Sequence, residues 1–276
     1  MEYILENSEA RVVISTKAAE IHSFVAKDNG IEMMWNGNPE YWAGRNPILF
    51  PQVGNTYNKT QVFKGKEYHM GNHGLARNAE FSFVSSCEDS LTLSLKADES
   101  TMSLYPYNFE LQVRYQLIGK RLEINYTITN NDEETMPFGF GLHPAFNCPA
   151  DNGEFEDYYI EFSSKEGEDT DELKLIKNHK LSLNRELFDK YKTVVYYNLN
   201  SAFVTLTNGR HGVKVTCAGY PILAIWSPAN APFVCIEPWH SHGDFAENNV
   251  PFEEREGIIS LESGRSFLSA YSIELI

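Results

Sequence analysis

The sequence predicts an all-β protein: a large antiparallel β-sandwich with little helix, spanning residues 1–276 as one unit, with two packed β-domains as the alternative. Three observations predict it. Apolar residues alternate with polar ones at period two in segment after segment, the pattern of strands with one buried face. Asn, Gly, Asp and Pro turns separate these segments. Helical periodicity is scarce.

Taken in chain order, "LTLSLKA" sets Leu91, Leu93 and Leu95 on one face. "ELQVRYQLIG" does the same with Leu111, Val113, Tyr115 and Leu117, and "RLEINYTITN" with Leu122, Ile124, Tyr126 and Ile128. Gly119-Lys120 lies between the last two runs and reads as a hairpin turn. "SSKEGEDTDE" reads as a solvated acidic loop. "NRELFDKY" is the best short helix, with Asn184 as N-cap and Leu187, Phe188 and Tyr191 on one side. "FVTLTN", "VKVTCAG", "ILAIWSP" and "FVCIEPW" continue the strand pattern. The closing "SFLSAYSIELI" alternates through Phe267, Tyr271, Ile273 and Leu275.

Composition narrows the function classes. The apolar fraction of 42% and aromatic fraction of 13% fit a folded, aromatic-rich chain long enough to bury a large core without disulfide staples. A net charge of −15 disfavours nucleic acid and anionic membrane as partners, since both require a basic face. No apolar run reaches the length of a membrane span. The start "MEYILENSEARVV" has no basic region followed by an apolar one, so a cytoplasmic location is expected. The four cysteines, Cys87, Cys148, Cys217 and Cys235, form no CxxC pair and are expected to be reduced. Neither GxxxxGK[ST], GxGxxG nor GxSxG occurs, which weighs against nucleotide-dependent and serine-hydrolase chemistry.

Three segments carry candidate chemistry. In "GLHPAFNCP", Pro144 holds His143 extended or in a turn, and Phe138, Phe140 and Phe146 supply apolar walls. Such an imidazole is a tuned acid or base, or a hydrogen-bonded core histidine. In "YHMGNHGLARN", His69 and His73 have zinc-ligand spacing on a helix, but Gly71 and Gly74 argue against a helix. There His73 reads as a turn histidine at a sheet edge, with Arg77 as an anion contact or a surface arginine. In "FVCIEPWHSHGDF", an apolar strand runs into Glu237. Desolvation there raises a carboxylate's pKa and makes it a better base; the alternative is a salt-bridged rim glutamate. His240, His242 and Glu247 offer a cupin-like metal reading, without the cupin glycine spacing or second motif. Trp35, Trp42, Trp226 and Trp239 are core residues or an aromatic wall for a sugar.

In order along the chain, "NPILFPQVGN" with "FKGKEYHMGNHGLAR", "FGFGLHPAFNCP", "FVCIEPW" followed by "DF", and "EREGIISLESGRSFLSAYSIELI" resemble the aldose 1-epimerase (galactose mutarotase-like) superfamily, in its LacX-like branch. The resemblance covers nearly the whole chain. It implies a β-supersandwich and an enzyme that interconverts α and β anomers of a free sugar without metal or other cofactor. The expected partners are a small sugar and at most a second copy of the chain, as a monomer or homodimer. It implies Glu237 as base on the anomeric hydroxyl, His143 as acid for the ring oxygen, and His73 as a second histidine polarising that oxygen. The carboxylate and imidazole are expected to keep each other charged. Arg77, Trp239 and Asp244 are the implied substrate contacts.

One position departs from the family pattern. Relatives commonly carry an arginine after "VG"; here Asn55 stands there, without a charged fork. Arg45 or Arg77 then compensates, or the sugar differs. The rival readings are a hexose-6-phosphate epimerase, with Arg45 and Arg77 on the phosphate, and a non-catalytic sugar-binding or sensing protein.

Overall fold

A computed structural model describes residues 1–276. Two large antiparallel sheets dominate. The first has nine strands, running in space from Lys180–Ser182 through Tyr159–Phe162, Phe203–Thr207, Gly212–Thr216, Ser266–Leu275, Arg121–Asn130, Phe109–Ile118 and Ser90–Lys96 to the edge strand Ser82–Ser86. The expected hairpin is present: Ile118 pairs with Arg121 across the two-residue loop Gly119-Lys120.

The second sheet carries the site. Its strands are β1 (Ile48–Leu49), β2 (Gly141–Leu142), β3 (Ala145–Asn147), β4 (Thr193–Tyr197), β5 (Ile222–Trp226) and β6 (Phe233–Trp239). In space the order is β4-β5-β6-β2-β1, with β3 also paired to β6. Every residue of β6 is buried, so period two decides which face each takes. Val234 and Ile236 point into a core cluster of 62 buried residues. Leu91, Leu93, Val113, Tyr115, Leu122 and Ile124 of the nine-stranded sheet belong to the same cluster, so it fills the space between the two sheets. Phe162 of the first sheet touches Tyr196 of the second, ring centroids 5.6 Å apart.

The other face of β6 carries Phe233, Cys235, Glu237 and Trp239. Phe233 and Cys235 join a small cluster with Trp35 and Ala145; Trp239 joins another with Leu49, Val53 and Ala224. Glu237 stands between these two apolar patches.

The short helix is Arg185–Tyr191, and the Asn184 side chain accepts the Leu187 N–H at 2.8 Å. The acidic loop has one anchor that composition did not reveal. Glu166 is buried and accepts from the N–H groups of Asn200 and Ser201. All four cysteines are free. No helix is long and apolar enough to cross a membrane.

Candidate active site

The ladder between β6 and the β2–β3 segment builds the central pair. Gly141 pairs with Trp239 and Ala145 with Cys235, one constant register that sets His143 opposite Glu237. The N–H of His240 donates to the Phe140 carbonyl, and that of Ile236 to the Pro144 carbonyl. His143 and Glu237 therefore occupy a non-hydrogen-bonded pair, the type that brings side chains closest. Pro144 and Pro238 lie on either side and have no N–H to give, so the ladder is thinned where the pair sits. His143 Nε2 lies 3.3 Å from Glu237 Oε2, both side chains buried. Gly141 keeps the neighbouring row open, since a Cβ there would lie 2.7 Å from Trp239 Cδ1.

The His73-Gly74 turn brings the third group. His73 adopts φ 65°, in the left-handed region. Gly74 follows at φ +76°, and a Cβ there would lie 2.3 Å from the Phe50 carbonyl oxygen, so only glycine fits. The His73 N–H donates to the Gly54 carbonyl at 2.8 Å, and the Gly54 N–H donates to His73 Nδ1 at 2.9 Å. The second bond fixes the tautomer: Nδ1 is the acceptor, so the proton of the neutral ring is on Nε2. The His73 ring meets that of His143 edge-on at 5.4 Å.

These groups line a cavity of about 360 Å³ with Trp42, Asn72, Arg77, Thr193, Trp226 and Trp239. That volume is in the range of small-molecule sites, which span about 300–1,000 Å³. Trp42 stacks on His143 at 4.7 Å and 27°, and Trp226 meets it edge-on at 5.5 Å. Trp42 is held from below by the Trp35 indole N–H, which donates to its carbonyl at 2.8 Å. The chamber thus has aromatic walls and a polar floor of acid, base, imidazole and guanidinium.

Burial governs the charges. It pushes His73 down to about 3, helped by the Arg77 charge, so His73 is neutral at physiological pH. It pushes Glu237 well above the carboxylate range, while the Trp239 indole N–H and the Arg77 charge pull the other way. It pushes His143 well below the imidazole range, with His73 and Arg77 adding to it. The sequence led us to expect that Glu237 and His143 keep each other charged; burial works against both charges. Burial therefore favours a single proton between the two groups. Removing it leaves a bare buried carboxylate, and adding a second leaves a bare buried imidazolium. His143 Nδ1 is buried without a hydrogen-bond partner, and the approaches of His143 Nε2 and the Trp239 indole N–H to Glu237 lack full hydrogen-bond geometry, so the polar floor is incompletely satisfied.

The structure gathers His73, His143, Glu237, Arg77 and Trp239 and leaves the other candidates outside. The Arg45 guanidinium donates to the His22 carbonyl at 2.9 Å and does not line the cavity. Asp244 accepts from the Tyr57 N–H, Asn248 and the Arg255 guanidinium, the last a salt bridge at 2.8 Å, and does not line the cavity. Asn55 accepts the Asp244 N–H through its own carbonyl and lies beside the cavity, not in its lining. Asn72 and Thr193 line the cavity and were not foreseen. His69 is exposed beside Glu67, apart from His73 in its hydrogen bonding. His240 packs among Phe140, Tyr220 and Phe267, and His242 against Tyr197 and Phe245, so the cupin-like pair shares no neighbour.

A large antiparallel sandwich with a buried carboxylate–imidazole pair facing a Trp-walled chamber has the galactose mutarotase-like fold, in the class of carbohydrate isomerases. The aldose 1-epimerase family model matches residues 1–254, and the chain belongs to that family. Its relatives include the plasmid and chromosomal forms of protein LacX from Lactococcus lactis subsp. lactis. Each is 32% identical over 296 residues, covering 99% of this chain and 98% of the relative. A galactose mutarotase related enzyme from Lactobacillus acidophilus superposes with TM-score 0.90 at 34% identity, covering 100% of this chain and 97% of that one. A galactose mutarotase-like protein from Lactobacillus casei superposes with TM-score 0.89 at 28% identity over the full length of both.

Proposed function

We propose that this chain is an aldose 1-epimerase that interconverts the α and β anomers of a free hexose. The observation that carries this reading is the His143 Nε2–Glu237 Oε2 approach of 3.3 Å on the floor of the chamber. Anomer exchange needs one base and one acid around C1, positioned together, and nothing else.

The steps follow from that pair. The anomeric hydroxyl donates to Glu237. This bond stabilises the carboxylate and moves the shared proton onto His143. Glu237 then takes the hydroxyl proton as the C1–O5 bond breaks, and His143 gives its proton to O5. The products are the open-chain aldehyde and a protonated O5. Rotation about C1–C2 turns the other carbonyl face toward O5. Reclosure returns the O5 proton to His143 and the Glu237 proton to O1, so the enzyme ends as it began. His73 donates its Nε2–H to the ring-oxygen region as a neutral group, and Arg77 holds a hydroxyl and favours the ionised Glu237. Trp42 and Trp226 receive the apolar C–H faces of the sugar.

A free hexose fits better than a hexose 6-phosphate. Of the two arginines that would have gripped a phosphate, only Arg77 lines the chamber, because Arg45 is committed to the His22 carbonyl. Comparing exchange rates on glucose and glucose 6-phosphate tests this. A higher kcat/KM on the phosphate would reverse the assignment. Saturable sugar binding in calorimetry, with no exchange above buffer, would make the protein a non-catalytic binder.

A further inference from the structure

We propose that His143 and Glu237 on the chamber floor, together with the neighbouring buried Cys235, form a binding site for a borderline-soft divalent cation of the Zn²⁺ type, and that the cation shuts the sugar site. The inhibitory half rests on the function proposed above; the binding half does not.

The third ligand is Cys235, which the acid–base mechanism does not use. It lies two residues before Glu237 on β6, on the same face, and diagonally across from His143. The ligand atoms of His143, Cys235 and Glu237 all lie within 4.8 Å of one another, and all three residues are buried. Tetrahedral zinc, with bonds of about 2.0–2.3 Å, spaces its ligand atoms about 3.3–3.8 Å apart. The His143 Nε2–Glu237 Oε2 edge already measures 3.3 Å. Glu237 Oε2 is buried, and its approach to His143 Nε2 lacks hydrogen-bond geometry, so a cation satisfies it better.

The donor set chooses the metal. Nitrogen, sulfur and one carboxylate oxygen suit zinc and its neighbours, not magnesium or calcium. Three protein ligands leave a fourth position open to a water or another small ligand. His73 does not fill it, because the Gly54 N–H occupies Nδ1 and leaves the proton on Nε2. The Arg77 charge, which lines the same chamber, weakens the affinity. On binding, the thiol proton and the proton shared by His143 and Glu237 leave to solvent, giving thiolate, neutral imidazole and carboxylate. Both proton carriers are then tied to the cation, and ring opening stops.

Zinc chloride, titrated calorimetrically into the full chain without sugar, tests binding. A Cys87→Ser background removes the exposed thiol. The expected result is one cation per chain, weakened at least tenfold by Cys235→Ala, with an anomalous-scattering peak between the three side chains in zinc-soaked crystals. In the anomerisation assay zinc raises the apparent KM, and Cys235→Ala keeps the basal rate but needs at least tenfold more zinc for the same inhibition. Unchanged zinc affinity in Cys235→Ala, or no anomalous peak between the ligands, overturns the site. If Cys235→Ala does not fold, the wild-type anomalous map decides alone. Cys235-dependent zinc binding in a protein that anomerises no sugar would keep the site and remove the proposed function. Anomerisation indifferent to saturating zinc would remove the inhibitory half.

Discussion

His143 and Glu237 face each other across an antiparallel ladder, Nε2 to Oε2 at 3.3 Å, each beside a proline that withholds a backbone N–H. One strand register sets their geometry, so either group can be changed without changing the frame that holds the other. Glu237→Gln and His143→Asn are each expected to lower kcat by ~10²–10⁴ while the circular dichroism spectrum and urea midpoint stay close to wild type. A rate near wild type in either variant removes that residue from the mechanism.

The walls should act on binding more than on chemistry. Arg77→Met is expected to raise KM by about tenfold or more, the effect of losing a charged hydrogen bond to a hydroxyl. Trp42→Phe should be tolerated and Trp42→Ala should not, since a ring stacked on His143 at 4.7 Å both pins the imidazole and supports the sugar. Steady-state kinetics on the three variants checks this; an unchanged KM in both Arg77→Met and Trp42→Ala would place the sugar elsewhere.

Much of the fold was legible because its strands each bury one face, so their alternation appears in the sequence. The Leu122–Ile128 and Leu111–Leu117 runs are paired strands as read, and Asn184 caps the helix it was expected to cap. The strands around His143 were not legible, because β1, β2 and β3 have only two or three residues and the His-Pro step interrupts the ladder. His143, Glu237 and His73 stood out because imidazoles and carboxylates are unusual beside apolar runs and glycine turns. Thr193 and Asn72 gave no such signal; long-range strand pairing and a turn bring ordinary polar residues to the chamber. Arg45 and Asp244 lie outside the cavity lining for the converse reason. Nearness in sequence to a site segment does not reveal that a side chain is engaged by the His22 carbonyl or by Arg255.

A pH dependence of stability follows from His240, which lies among Phe140, Tyr220 and Phe267 and is pushed down to about 4 by burial. The unfolded chain holds this proton up to about pH 6.5, so between those values the unfolded state binds more protons and stability rises with pH. The contribution is fully present above about pH 6.5 and is lost as pH falls toward 4. Urea unfolding at pH 7 and pH 5 should show wild type losing more stability on acidification than His240→Phe. Equal losses would mean that His240 titrates alike folded and unfolded.

The Asn184 cap offers a control far from the chemistry. Asn184→Ala should cost about 1 kcal/mol in urea unfolding, because the Leu187 N–H loses its acceptor, and should leave KM and kcat unchanged. No loss of stability would mean that solvent satisfies that N–H equally well.

The central claim is that the His143–Glu237 pair opens and recloses a sugar ring. Two-dimensional NMR exchange spectroscopy on α- and β-D-glucose and D-galactose measures anomer exchange directly, in the presence of wild-type protein and of Glu237→Gln. The account predicts cross-peaks between the anomers of at least one sugar well above buffer with wild type, and a return to near-buffer exchange with Glu237→Gln. Exchange equal to buffer for both sugars with wild type, or equally fast with Glu237→Gln, would contradict it.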